Sequence, residues 1–150
     1  MQYIILISSN DSIEVKEYSG YQTINDLVEG YYERCGAFGV REKMTFLFCN
    51  EEFLLRDELL FNAVGTALAD QPIYGNVVML QDGYNEDNER DALPFEKADA
   101  DKICKALCDF KIRYKVLLRA LHRHYDNNKP KPTAQIITMS EDSFRELCDE

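Results

Sequence analysis

Apolar positions along this chain follow two different periods, and the changes between them mark its elements. Tyr3 to Ser8 is a continuous run rich in β-branched residues, which predicts a strand covered on both faces. Ser8–Ser12 is turn chemistry, and Ile13–Glu17 alternates apolar with polar. The chain therefore opens with a β-hairpin whose second strand keeps one wet face. Met44–Cys49 and Asn76–Leu80 read as two further buried strands, and Ala134–Met139 as a last one.

Between the strands the period lengthens. Ile24, Leu27, Val28, Tyr31 and Cys35 stand at helical spacing behind Thr23, a candidate N-cap with Asp26 three residues on, and Gly36 offers the stop. A second amphipathic helix is expected from about Glu58 to Ala69, before the break at Pro72, and Ser140 caps a short one reaching Cys148. The longest runs from about Lys97 to Tyr125. Its apolar residues Ile103, Leu107, Phe110, Tyr114, Leu117 and Leu121 are spaced 4, 3, 4, 3 and 4 apart, a heptad-like seam with Leu118 and Tyr125 beside it. Lys105, Arg113, Lys115, Arg119 and Arg123 lie on the opposite face.

Strands alternating with helices after a leading hairpin predict a mixed α+β fold. Its expected form is a small sheet of about four or five strands with helices on one face. A chain of 150 residues fits one domain, with an α/β core over 1–107 and, over 108–150, the helix continuation and a C-terminal strand–helix extension. Five cysteines, an odd number without framework spacing, point to a reducing, cytoplasmic compartment. No apolar run is long enough to span a bilayer, and the first residues lack the features of a signal peptide.

Charge adds what periodicity does not contain. The net charge of -10 is unevenly distributed: residues 1–101 carry 20 acids against 7 bases, 102–131 carry 9 bases against 2 acids, and 132–150 carry 5 acids against 1 base. A basic helix thus sits on an acidic body. Three readings of that helix stand open: a surface helix with solvated bases, a seam for a second copy, or a face for a polyanion or an anionic membrane. The acidic body repels a polyanion, which disfavours direct nucleic-acid binding.

Motifs for catalysis or cofactors are sparse. Cys104 and Cys108 with His122 and His124 have the wrong spacing for a zinc site on one helix. The polar loop Asp82–Asp91 matches a calcium loop only in part, with Arg90 where that loop needs glycine. Neither a glycine-rich phosphate loop nor a nucleophile elbow is present. The expectation is a protein without metal or cofactor. Asn50, Glu51 and Asn62 are the polar residues near element ends that a small-ligand binder or an enzyme would use, and turn or cap chemistry explains them as well.

The pieces "TINDLVEGYYERC", "FLFCNEE", "FNAVGTALADQPIYGNVVML" and "ALPFEKADADKI" carry a family resemblance. Gly30-Tyr31, Cys49-Asn50-Glu51, Asn62-Ala63 and Gly75 are its most telling residues. Over about residues 1–107 the chain resembles the domain-of-unknown-function family numbered 3846, of Gram-positive bacteria, their phages and mobile elements. The resemblance implies no activity, only that setting.

Charge and setting together lead to an expected function: a non-enzymatic inhibitor or adaptor that binds a protein. Its target would be a host nuclease or defence complex, in the manner of anti-CRISPR or anti-restriction proteins. Carboxylates would stand in for nucleic-acid phosphates in a cationic cleft. The candidate contacts are Glu51, Glu52, Asp57 and Glu58, together with Asp82, Glu86, Asp87, Glu89 and Asp91. The alternatives are a homodimeric regulatory module joined through the 103–121 seam, and a small-ligand binder or enzyme.

Overall fold

Val77, Val78, Met79 and Leu80 are all essentially inaccessible to solvent, and a strand with no wet face must lie inside a sheet covered on both sides. The computed structural model, which describes residues 1–40 and 43–130, places them so. The elements run β1 (Gln2–Ile7), β2 (Ile13–Tyr18), α1 (Tyr21–Val28), β3 (Tyr32–Val40), β4 (Lys43–Asn50), α2 (Ala63–Ala69), β5 (Val77–Tyr84), β6 (Arg90–Leu93), α3 (Lys97–Arg113) and α4 (Lys115–Tyr125). The sheet is antiparallel throughout, in the order β2-β1-β5-β4-β3. β6 pairs with the far half of β5, on the edge that β1 leaves open. The mixed α+β class and the long C-terminal helical region are as the sequence predicts. The strand and helix expected over 134–148 lie outside the described residues.

Alternation along the central strands splits the core in two. Ile5, Ile7, Leu47, Cys49, Val77 and Met79 face α2, α3 and α4. Ile4, Leu6, Phe46, Phe48, Val78 and Leu80 face the other way and are capped by Ile24 and Val28 of α1. Helices therefore cover both faces, where the sequence suggested one. Full burial of each such side chain contributes roughly 1.5–3 kcal/mol, so both layers are needed.

Four elements depart from the periodicity. The helix read through Tyr31 and Cys35 stops at Val28, and Tyr32–Val40 is an edge strand instead. The Asn50 amide donates to the carbonyls of Val28 and Glu29 at 3.1 and 3.3 Å, so the terminal carbonyls find partners from another strand. Glu29 takes a left-handed φ of 64° to end the helix. Gly30 follows because a Cβ there would lie 2.7 Å from the Asn50 amide nitrogen. At the other end Gly20, not Thr23, is the cap position, and Thr23 Oγ1 instead accepts from the Ser19 amide. The second helix begins at Ala63 rather than near Glu58, and residues 51–55 form turns.

The third departure is at Asp82–Asp91, which is a β-hairpin rather than a loop. β5 continues to Tyr84 and β6 returns from Arg90, in register Tyr84↔Arg90 and Asp82↔Ala92. The fourth is a bend in the long helix at Tyr114 (φ -108°, ψ 25°). A straight helix from Lys97 to Tyr125 would run about 43 Å, well beyond an eight-residue strand of about 27 Å. The bend lets α3 pack on β1 and β2 while α4 turns onto α2. It also moves the inward stripe by one position. Ala100, Ile103 and Leu107 are buried before it, and Leu118 rather than Leu117 after it.

Asn62 ties these layers together. It is fully buried, its amide donates to the carbonyls of Ile7 and Gly75 at 2.9 Å each, and its Oδ1 accepts from Gly65 N at 2.8 Å to cap α2. Gly75, at φ 90°, supplies a backbone conformation that side-chain-bearing residues rarely adopt. Replacing Asn62 by Ala strands two carbonyls and one amide in the interior. At roughly 1 kcal/mol per hydrogen bond, Asn62→Ala should lower stability by about 3 kcal/mol, read by urea denaturation with an unchanged m-value.

Candidate functional site

The polar residues singled out as a possible small-molecule site are consumed by the fold. Asn50 is 2% exposed, spends its amide on α1 and accepts from Glu52 N at 2.7 Å through Oδ1. Asn62 is likewise spent on three backbone partners. Glu51 is exposed beside Glu33, whose carboxyl is raised by burial and then by the Glu51 charge. These residues do not converge on a shared cavity. Among the described residues no cluster of three His, Cys, Asp or Glu side chains is arranged to hold a metal. The described cysteines, Cys35, Cys49, Cys104 and Cys108, are free thiols. Cys49 is buried, and its interaction with Cys35 and then burial raise its thiol pKa, which keeps it from being a reactive thiolate.

Charge on the surface is organised differently from the sequence expectation of one acidic face. The first group, Glu51, Glu52, Asp57 and Glu58, follows β4 at its Asn50 end. The second sits on the β5–β6 hairpin, beyond the Lys43 end of β4. At about 3.4 Å per residue the length of β4 alone keeps them on the order of 25 Å apart. They are two separate patches. The first is partly neutralised: Arg56 pairs with Glu58 at 2.6 Å and also bonds the Glu29 carbonyl, while Lys129 donates to the Arg56 carbonyl at 2.6 Å.

The second patch is ordered and largely free. Asp82 is the exception. It sits in a two-pronged pair with Arg90 (2.6 to 3.1 Å), and that hydrogen bonding holds its carboxyl below the usual range. Beyond it the turn is fixed by Asn85, whose Oδ1 accepts from the amides of Asp87 and Glu89 at 3.0 Å. Asn88 takes the left-handed conformation (φ 60°) and closes the turn onto the Asn85 carbonyl. Glu86, Asp87, Glu89 and Asp91 are exposed, with no ion pair to any described cation, and Tyr84 is 67% exposed at the base. The pair that removes Asp82 from the surface thus braces the hairpin presenting the others.

The helix seam is divided. Ile103 and Leu107 are 2% and 1% exposed inside the chain's own core, so a continuous 103–121 seam is not open to a second copy. Phe110 and Leu121 pack half-buried on the core's edge, whereas Tyr114 and Leu117 stand 40% and 48% exposed. Lys105, Arg113, Lys115, Arg119 and Arg123 are exposed and form no ion pair with a described acid. The basic face therefore points outward. What holds the helix to the body is a different residue, His122, which the sequence offered only in a zinc pattern of the wrong spacing. Its Nε2 lies 2.7 Å from Asp11 of the β1–β2 turn and its Nδ1 3.0 Å from Asp126, with the Phe61 ring edge-on at 5.5 Å. Lys111 also reaches this turn, donating to the Asp11 carbonyl. No sequence spacing could have joined residues 111 positions apart.

No family model matches the chain, and neither a curated protein nor a solved structure does.

The His122 clasp responds to pH. Burial acts to lower its pKa, but the hydrogen bonds to Asp126 and Asp11 outweigh this and hold it above the usual 6.5. A raised folded-state value means the protonated form is favoured by folding. Its contribution is complete below the unfolded pKa and is lost as pH rises through the folded one. Melting curves between roughly pH 5 and pH 9 should show wild type losing its advantage over His122→Gln across that window. A constant difference at every pH would contradict the clasp.

Proposed function

We propose that this chain is a non-enzymatic binding module whose docking element is the β5–β6 hairpin. The target would be a protein with a cationic, nucleic-acid-binding cleft. The observation that carries this reading is the hairpin's preordered turn, with four exposed carboxylates and no described cation compensating them. Carboxylates fixed in place attract a cationic groove without the ordering cost that a loose loop would incur on binding. Tyr84 at the hairpin's base adds an aromatic anchor of the kind found at the centres of interfaces.

The resemblance of residues 1–107 to the family numbered 3846 supports a setting in phage or mobile elements, where a host nuclease or defence complex offers such a cleft. The patch at Glu51–Glu58 is a weaker docking element because Arg56 and Lys129 are bound into it. Catalysis has less support, since Asn50 and Asn62 are committed to backbone groups. A homodimer through the full helix seam has less support too, since Ile103 and Leu107 are spent on the chain's own core.

The test is quantitative capture from a bacterial lysate by the wild-type chain and by the isosteric variant E86Q/D87N/E89Q, with heparin as competitor. At least one nucleic-acid-processing protein should bind wild type, be displaced by heparin, and fall at least about tenfold with the variant, as expected for losing about 1.4 kcal/mol. Identical capture by the two chains would remove the hairpin as the docking element.

A further inference from the structure

Opposite its buried side, the helical region at the bend turns an apolar centre outward. Val116 and Ala120 stand two residues to either side of the buried Leu118, so at about 100° per residue both point away from the body. Ile112, just before the bend, and Val116 are 72% and 69% exposed. Arg113, Lys115, Arg119 and Arg123 flank them, exposed and without an ion pair to any described acid. Asp109 is the one acid between Lys105 and Tyr125. An apolar centre flanked by arginines has the composition of a protein-binding face.

The β5–β6 hairpin has the converse composition, with Tyr84 exposed at its base and Glu86, Asp87, Glu89 and Asp91 free of described cations. Within one chain the two surfaces cannot meet. Lys111, near the end of α3, bonds the Asp11 carbonyl in the β1–β2 turn, and that turn follows Ile7, which pairs with Val77 at the start of β5. The hairpin leaves the other end of the same strand, about 24 Å away at 3.4 Å per residue. From Ile112 to Arg123 the outer face runs about 17 Å, long enough to take two strands about 5 Å apart.

We propose that this outer face binds the β5–β6 hairpin of a second copy of the chain. Tyr84 of one copy lies against Ile112 and Val116 of the other, and the hairpin carboxylates face Arg113, Arg119 and Arg123. The proposal rests on the reading of the hairpin as an element that docks on cationic surfaces, and adds a partner of known sequence. The net charge of -10 opposes association at long range, but at physiological salt that repulsion is screened beyond about 8 Å, and pairs in contact are screened less. A nucleic acid or an anionic bilayer extends past the helix and meets the acidic body, whereas a narrow hairpin does not. Each contact uses one hairpin and one basic face and leaves one of each open. The association is therefore heterologous, and it continues as a series unless its rotation closes a ring.

Sedimentation of the full chain tests this with two uncharged variants at exposed positions, E86Q/D87N/E89Q in the hairpin and R113Q/R119Q/R123Q in the helix face. Wild type should grow in mass with concentration, and each variant alone should stay monomeric. Their equimolar mixture should form a 1:1 pair and nothing larger, because one variant supplies an intact face and the other an intact hairpin. A mixture that stays monomeric, or either variant associating alone as wild type does, would overturn the proposal. So would a wild-type chain that is monomeric up to millimolar concentration. If the hairpin of that monomer still bound an oligolysine peptide, the docking reading would stand without the second copy; if it did not, both would fall. A monomer that binds anionic vesicles or nucleic acid, and loses them in R113Q/R119Q/R123Q, would give the face to those partners instead.

Discussion

A strand buried on both faces and paired along both edges leaves no position for an unsatisfied polar group, and the first half of β5 is such a strand. Its four leading residues fix the rest of the architecture. One face calls for α1, the other for α2, α3 and α4, and the two edges for β1 and β4. The chain must still enter this strand from α2 through a buried turn. Asn62 makes that entry possible by supplying partners to the end of β1, to the Gly75 carbonyl and to the first turn of α2 at once. Interior polarity in this protein is therefore architectural, and chemistry is left to the surface.

What could be read from the sequence follows from how far each signal reaches. The central strands were legible because burial on both faces forces long β-branched and apolar runs, as in Tyr3–Ser8 and Asn76–Leu80. The α1 boundary was not. Tyr31 and Cys35 continue the helical spacing by coincidence, and what stops the helix is the Asn50 side chain, arriving from a strand some twenty residues later. The bend at Tyr114 was hidden for a similar reason. No Pro or Gly marks it, and it answers to the length of the sheet beneath.

The candidate sites divide in the same manner. The identity of the acidic and basic residues was legible, but their grouping was not, because grouping depends on topology. Pairing of β4 with β5 sends the Glu51–Glu58 group and the Glu86–Asp91 group to opposite ends of the sheet. Polar composition at Asp82–Asp91 suggested a solvated loop, yet Arg90 and Asp82 stand across from one another only when the segment folds back as a hairpin. The charge segregation seen along the chain is thus real in space, with one refinement. The basic helix is fastened to the acidic body through His122 and Lys111, and its arginines remain outside.

The central claim is that one ordered acidic hairpin, and not the acidic body at large, is the surface offered to a cationic partner. Titration of a short oligolysine peptide, followed through backbone amide chemical shifts, tests it most directly. The account predicts saturable shifts concentrated on residues 84–91, weakening with salt. Equal or larger shifts at residues 51–58, or small shifts spread over every exposed carboxylate, would contradict it.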